Sequence, residues 1–333
     1  MDKDKGPVYR FLSIYGDNVT KLITANFAFM VFNIPSMLIG FFMTLYFLPR
    51  INPVFVPENF YAYMTEAGFA VSSEAGTTDA LSQVYYLIIL FCVMTLVGSC
   101  LVVVGPVQTG FAQLYRNLFR GDTIYWKDDF KKGVKSNIPQ AIITSAISLV
   151  LSCVFLLAIS FYSNVEGNFG TVMTVLFVVL LFILAAIQNI VYQLIVTVDQ
   201  PLSSIYRNAF LFFLMRFLQF AVFGLLALVI LFVVPFLFLS SFNYFGYGAA
   251  ILFYITTAFV FTQFMFAYNA ADIINIYIVK PVKAQQEAAN EITEDADSDV
   301  VSDADIDEGD EDDDTEEGEE EAQAADGDLL EDE

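Results

Sequence analysis

Residues 105–141 read GPVQTGFAQLYRNLFRGDTIYWKDDFKKGVKSNIPQA, with long apolar runs on both sides. The stretch holds six of the chain's fifteen basic residues, Arg116, Arg120, Lys127, Lys131, Lys132 and Lys135, and the only tryptophan, Trp126. Phe111, Leu114, Tyr115 and Leu118 recur at helical spacing, which predicts a helix extending from the preceding apolar run into the cytoplasm. Trp126–Ser136 reads as a basic amphipathic segment along a membrane surface.

The flanking runs decide the class. A chain of 333 residues that is 57% hydrophobic, with a mean hydropathy of +0.61, lies outside the range of ordinary soluble domains. Apolar runs at 22–48, 84–104, 140–162, 171–198, 209–239 and 249–279 are each long enough to cross a hydrocarbon core of roughly 30 Å. The fold class expected is therefore an all-α polytopic membrane helix bundle of six transmembrane helices. Pro35 predicts a kink in the first span. Pro49, Pro53 and Pro57 argue against a continuous helix at the start of the loop 49–83, whose aromatics Phe60, Tyr61 and Tyr63 suit a headgroup region. The N-terminal 1–21 fits an interfacial segment or a flexible tail, and no cleavable signal peptide is expected there.

Charge sets the orientation. With six spans and both termini inside, the cytoplasmic segments hold Lys3, Lys5, Arg10, Lys21, the six basic residues of the loop 105–139, Arg207, Arg216, Lys280 and Lys283. Only Arg50 falls outside, so the split is fourteen to one, and the loop 105–139 is expected to be cytoplasmic. The formal net charge of −23 comes from one end: residues 284–333 carry 25 acidic residues and no basic one. That low-complexity segment is expected to be a disordered acidic cytoplasmic tail, because it has little apolar surface to bury. One hypothesis is that it folds back on the basic loop, which tail-to-loop crosslinking without salt dependence would refute.

Catalytic chemistry finds little support. Histidine is absent, which removes Ser-His-Asp, Cys-His and His-metal arrangements. Cys92, Cys100 and Cys153 all lie in apolar runs and have no metal-binding or disulfide spacing. Gly105-Pro106 lacks a phosphate-loop pattern and reads as a helix break. The acidic run near the C-terminus lacks the register of a calcium loop. No catalytic residue, cofactor, metal site or nucleic-acid partner is expected, and the chain reads as non-enzymatic.

Three constellations remain. Arg116, Arg120, Lys127, Lys131, Lys132 and Lys135 either set topology alone or also contact anionic lipid or an acidic partner. Arg216 and Asp272 lie at matching depths in spans five and six, where they pair, snorkel to the interface, or form a substrate or ion site. Asn26, Asn33, Gln188, Asn189, Gln193, Gln263, Asn269 and Asn275 either bond helices to one another or line a polar path.

The motif order resembles the YesL-like family, bacterial membrane proteins of the domain-of-unknown-function family 624. The resemblance runs through TANFAFMVFNIPSMLIG, GPVQTGFAQLYRNLFRG and WKDDFKKGVKSNIPQA, with a weaker echo in SSIYRNAFLFFL, and covers roughly residues 10–280. It implies a bacterial cytoplasmic membrane protein acting as an accessory or scaffold beside carbohydrate ABC-transporter permease subunits. The loop 49–83 and the acidic tail extend beyond the shortest members of that family. The alternative is a small-solute transporter or channel whose path is lined by Asn and Gln with Arg216 and Asp272.

Overall fold

A computed structural model describes residues 7–67, 76–239 and 244–286. The chain divides into two units, Met1–Val279 and Lys280–Glu333, and of the second only residues 280–286, all helical, are described. The acidic tail expected over 284–333 thus lies almost wholly outside the described residues, as does 68–75 of the loop 49–83.

Every regular element among the described residues is helical. In chain order these are α1 (Pro7–Asp17), α2 (Val19–Phe32), α3 (Ile34–Ile51), α4 (Pro57–Glu66), α5 (Gly76–Gly98), α6 (Gly105–Arg120) and α7 (Trp126–Ser136). There follow α8 (Ile138–Tyr162), α9 (Asn168–Thr197), α10 (Leu202–Met215), α11 (Phe217–Leu228), α12 (Val234–Leu239), α13 (Tyr244–Phe253) and α14 (Phe259–Ile274). Six helices are long and apolar enough to cross a membrane: Ile34–Ile51, Leu81–Gly98, Ile138–Tyr162, Asn168–Thr197, Phe217–Leu239 and one within Phe245–Gln286. The protein is a multi-pass membrane helix bundle.

Where the helices start follows from the prolines. Ile34-Pro35, Gly105-Pro106 and Ile138-Pro139 each open a helix, where the missing proline N–H has no intrahelical partner to lose. Pro49 is an exception to expectation, since α3 runs through it to Ile51.

The boundaries differ from the hydropathy reading in three places. The run 22–48 is two helices broken at Asn33, so α2 is a separate 14-residue helix and only α3 reaches spanning length. The run 209–239 is likewise broken, at Arg216, leaving α10 short. Span two stops at Gly98, and 99–104 is irregular. Apolar content reports burial in lipid or protein alike, so it does not register a break, and at 99–104 the freed backbone is bonded by side chains elsewhere in the chain.

Those side chains are the polar residues of the apolar runs. Asn33 Oδ1 accepts from the Val104 N–H at 3.0 Å, and Asn189 Nδ2 donates to the Ser99 carbonyl at 3.2 Å. Ser148 Oγ donates to the Leu101 carbonyl at 2.8 Å. Cys100, the one non-glycine residue with positive φ among the described residues (+66°), donates from Sγ to Asn189 Oδ1. An irregular buried segment is tolerated in a membrane protein only when its backbone groups find such partners.

Five-residue (π) bonding recurs at Val229–Val233 and Tyr254–Ala258. Pro235 lacks the N–H that would reach back to Leu231, and Tyr254 Oη donates to that carbonyl at 2.5 Å. Asn26 spans the second π segment. Its Nδ2 donates to the Tyr254 and Ile255 carbonyls at 2.6 and 2.7 Å, and its Oδ1 accepts from Phe259 and Val260 N–H at 3.1 and 2.9 Å.

At the centre sits α6, which packs against α2, α7, α8, α9 and α14. The sequence reading has this helix extending into the cytoplasm; in the fold it is buried by neighbouring helices on nearly every face, polar Gln108, Thr109, Gln113 and Asn117 included. Phe111 and Tyr115 join an aromatic core with Phe29, Phe130, Phe259 and Phe264.

Candidate functional site

The α6–α7 hairpin owes its form to glycines at specific places. Gly121, at φ +79°, ends α6, and the following Asp122 N–H bonds the Asn117 carbonyl, which closes the helix terminus. Asp128 and Asp129 occupy the first turn of α7 and Lys135 the last, as the helix dipole favours. Asp129 Oδ2 also accepts from the Tyr125 N–H at 2.9 Å. The two helices approach closely because Gly110 faces the Phe130 ring, while a Cβ on Gly133 would sit 2.7 Å from the Thr109 carbonyl oxygen. Trp126 stacks on Phe130 with ring centroids 5.4 Å apart.

This packing divides the six basic residues of the stretch. Lys127, Lys131, Lys132 and Lys135 stand exposed on α7, and Arg120 is exposed at the end of α6. Arg116 differs from them. It is half-buried, and its Nη1 donates to the Val196 carbonyl at the end of α9. Its Nε is buried without a hydrogen-bond partner. Burial pushes the guanidinium below its ordinary pKa and Arg120 adds to that, while Asp122 and Asp129 oppose the shift without forming an ion pair with it.

Between α6, α7 and the ends of α8 and α9 lies a cleft of about 570 Å³. Arg116 and Lys132 line it, with Ser136, Asn137, Gln140 and Asp199 among the other polar residues. Of the sequence-derived basic set, only these two meet in the cleft. No spacing pattern in the sequence marks Ser136, Asn137, Gln140 or Asp199, which lie at or beside helix ends. Two apolar cavities, of about 390 and 240 Å³, lie among the spans.

Arg216 and Asp272 come together: Nη1 lies 2.9 Å from Oδ2, with the side chains 24% and 39% exposed. Arg216 occupies the break between α10 and α11, at the edge of its span, and also donates to Gln219 Oε1.

The buried amides fall into two groups. Asn26, Asn33 and Asn189 bond backbone, as described, and Gln188 Nε2 donates to Tyr206 Oη at 3.1 Å. The other group is less satisfied. Gln108 Nε2 and Tyr115 Oη both reach Gln263 Oε1, at 3.3 and 3.4 Å. Gln108 Oε1, Gln193 Oε1, Gln263 Nε2 and both amide atoms of Asn269 are buried without a protein partner. Asn275 lies in a third π segment, Asn275–Val279, and is not buried.

No group of three or more His, Cys, Asp or Glu side chains is placed to hold a metal ion among the described residues. Compared with protein-family models, curated proteins and solved structures, the chain matches none.

Proposed function

We propose that this protein is a non-enzymatic accessory or scaffold component of a bacterial cytoplasmic membrane, with its termini and the α6–α7 hairpin on the cytoplasmic side. The observation that carries this reading is the exposed row of lysines on α7, held on a helix that is locked onto α6. A rigid, charged surface of this kind suits contact with a partner, since little ordering entropy opposes its docking. The bundle's aromatic-packed interior also suits a structural role. An association with carbohydrate ABC-type permease subunits is supported by the YesL-like motif order alone, which is an analogy rather than a site argument.

The test is purification from native membranes in mild detergent, using the full chain and a version ending at Lys283. Co-purification of a permease subunit supports the accessory reading, and its loss from the shortened chain gives the acidic tail a part in the contact. Partnerless protein from both would defeat the reading.

A second reading, a small-solute transporter or channel, draws on one specific observation. Gln108, Gln193, Gln263 and Asn269 hold unpartnered polar atoms in the interior between α6, α9 and α14, where such atoms are costly unless used. Solute flux in reconstituted vesicles, reduced by Gln263→Leu, would favour it.

A further inference from the structure

We infer that the cleft between α6, α7 and the ends of α8 and α9 binds a phosphate ester carrying free hydroxyls, the chemistry of a phosphoglycerol headgroup. This inference does not depend on the accessory reading. Its first support is position. Pro139 and Gln140 open the spanning helix α8, and Val196 and Thr197 close the spanning helix α9, so the cleft lies where two apolar helices end, at headgroup level.

The second support is chemistry. Arg116 supplies a guanidinium whose fork matches phosphate oxygens, and it makes no ion pair among the described residues. Its single hydrogen bond to the Val196 carbonyl fixes the side chain without neutralising it, and Nε remains unpartnered. Lys132 lines the same cleft from α7 as a second positive charge. Asp199 is the one carboxylate among the lining residues, and a simple anion would be repelled by it. A ligand with hydroxyls beside its phosphate turns that carboxylate into an acceptor, and Ser136 and the amide oxygens of Asn137 and Gln140, whose amide nitrogens donate to the Gly133 and Gln200 carbonyls, can take the remaining hydroxyl contacts. The volume of about 570 Å³ falls within the range of small-ligand sites and suits a headgroup of this size.

The same chemistry occurs in a lipid headgroup and in a soluble polyol phosphate, and the experiment separates them. Full-length protein in detergent is titrated, at constant ionic strength, with short-chain phosphatidylglycerol, phosphatidylcholine and glycerol 3-phosphate, and binding is read by native mass spectrometry. Phosphatidylglycerol is expected to bind in preference to phosphatidylcholine. Lys132→Gln should weaken it about fivefold. Arg116→Gln should weaken it by about tenfold or more, as expected for losing a charged hydrogen-bond donor. Lys127→Gln, on the same helix but outside the cleft lining, should leave it unchanged. Binding of glycerol 3-phosphate with the same sensitivity to Lys132→Gln would sustain the site and identify a soluble ligand. Should neither phosphatidylglycerol nor glycerol 3-phosphate bind, should phosphatidylcholine bind as well as phosphatidylglycerol, or should Lys127→Gln weaken binding as much as Lys132→Gln, the inference is overturned. Lys132 is exposed, so its variant decides the matter even where Arg116→Gln does not fold.

Discussion

Asn26 makes four hydrogen bonds to the backbone of a π segment and the helix start that follows it, more than two hundred residues further along the chain. Removing it leaves buried carbonyl and N–H groups without partners, each at a cost of about 1–3 kcal/mol. Asn26→Ala is therefore expected to destabilise the protein by at least about 2 kcal/mol, read as a lower midpoint of thermal unfolding in detergent. Asn26→Asp should do comparable harm, since a carboxylate keeps the acceptors and loses both donors. Arg216 and Asp272 call for a smaller estimate, because a partly exposed pair contributes only about 0–1 kcal/mol. Either single reversal, Arg216→Asp or Asp272→Arg, should lower the unfolding midpoint, and the double swap should restore most of the loss. A swap no better than the singles would mean that the two charges act separately. Both residues were recognisable from sequence as charges at matching depth. That they touch depends on the break at Arg216, which hydropathy does not register.

The α6–α7 hairpin depends on close helix approach. Gly110→Leu or Gly133→Leu forces a side chain against Phe130 or the Thr109 carbonyl, and overpacking of this kind costs about 1–3 kcal/mol. Such variants should lose stability and also expose Trp126, whose fluorescence would shift to longer wavelength. A variant with unchanged emission and unchanged midpoint would show that the helices are not pressed together. The helix α6 was readable from the spacing of Phe111, Leu114, Tyr115 and Leu118, and the basic amphipathic character of Trp126–Ser136 from its composition. The burial of α6 was not. Its polar residues Gln108, Gln113 and Asn117 look solvated when read one at a time. In the fold, Gln108 bonds Gln263 on α14, Gln113 bonds Asn117 one turn along α6, and all three are buried.

For the molecule as a whole, the proposed orientation is open to direct measurement. A cysteine at Lys127 should be labelled by an impermeant reagent in inverted vesicles and protected in right-side-out ones, and a cysteine at Glu166, in the α8–α9 turn, should behave oppositely. Equal labelling from both sides would refute the fourteen-to-one charge argument. The membrane class and helical architecture were determined by the sequence alone, since hydrophobic runs of spanning length have few stable alternatives in a bilayer, where every backbone group needs an internal partner. The tertiary structure alone decided where those runs break, which polar side chains bond the irregular segment 99–104, and that Arg116, Lys132 and Asp199 share one cleft. Hydropathy sums over a local window, whereas the Asn26, Asn33 and Asn189 bonds join segments 70 to more than 200 residues apart, and only the folded chain brings those partners together.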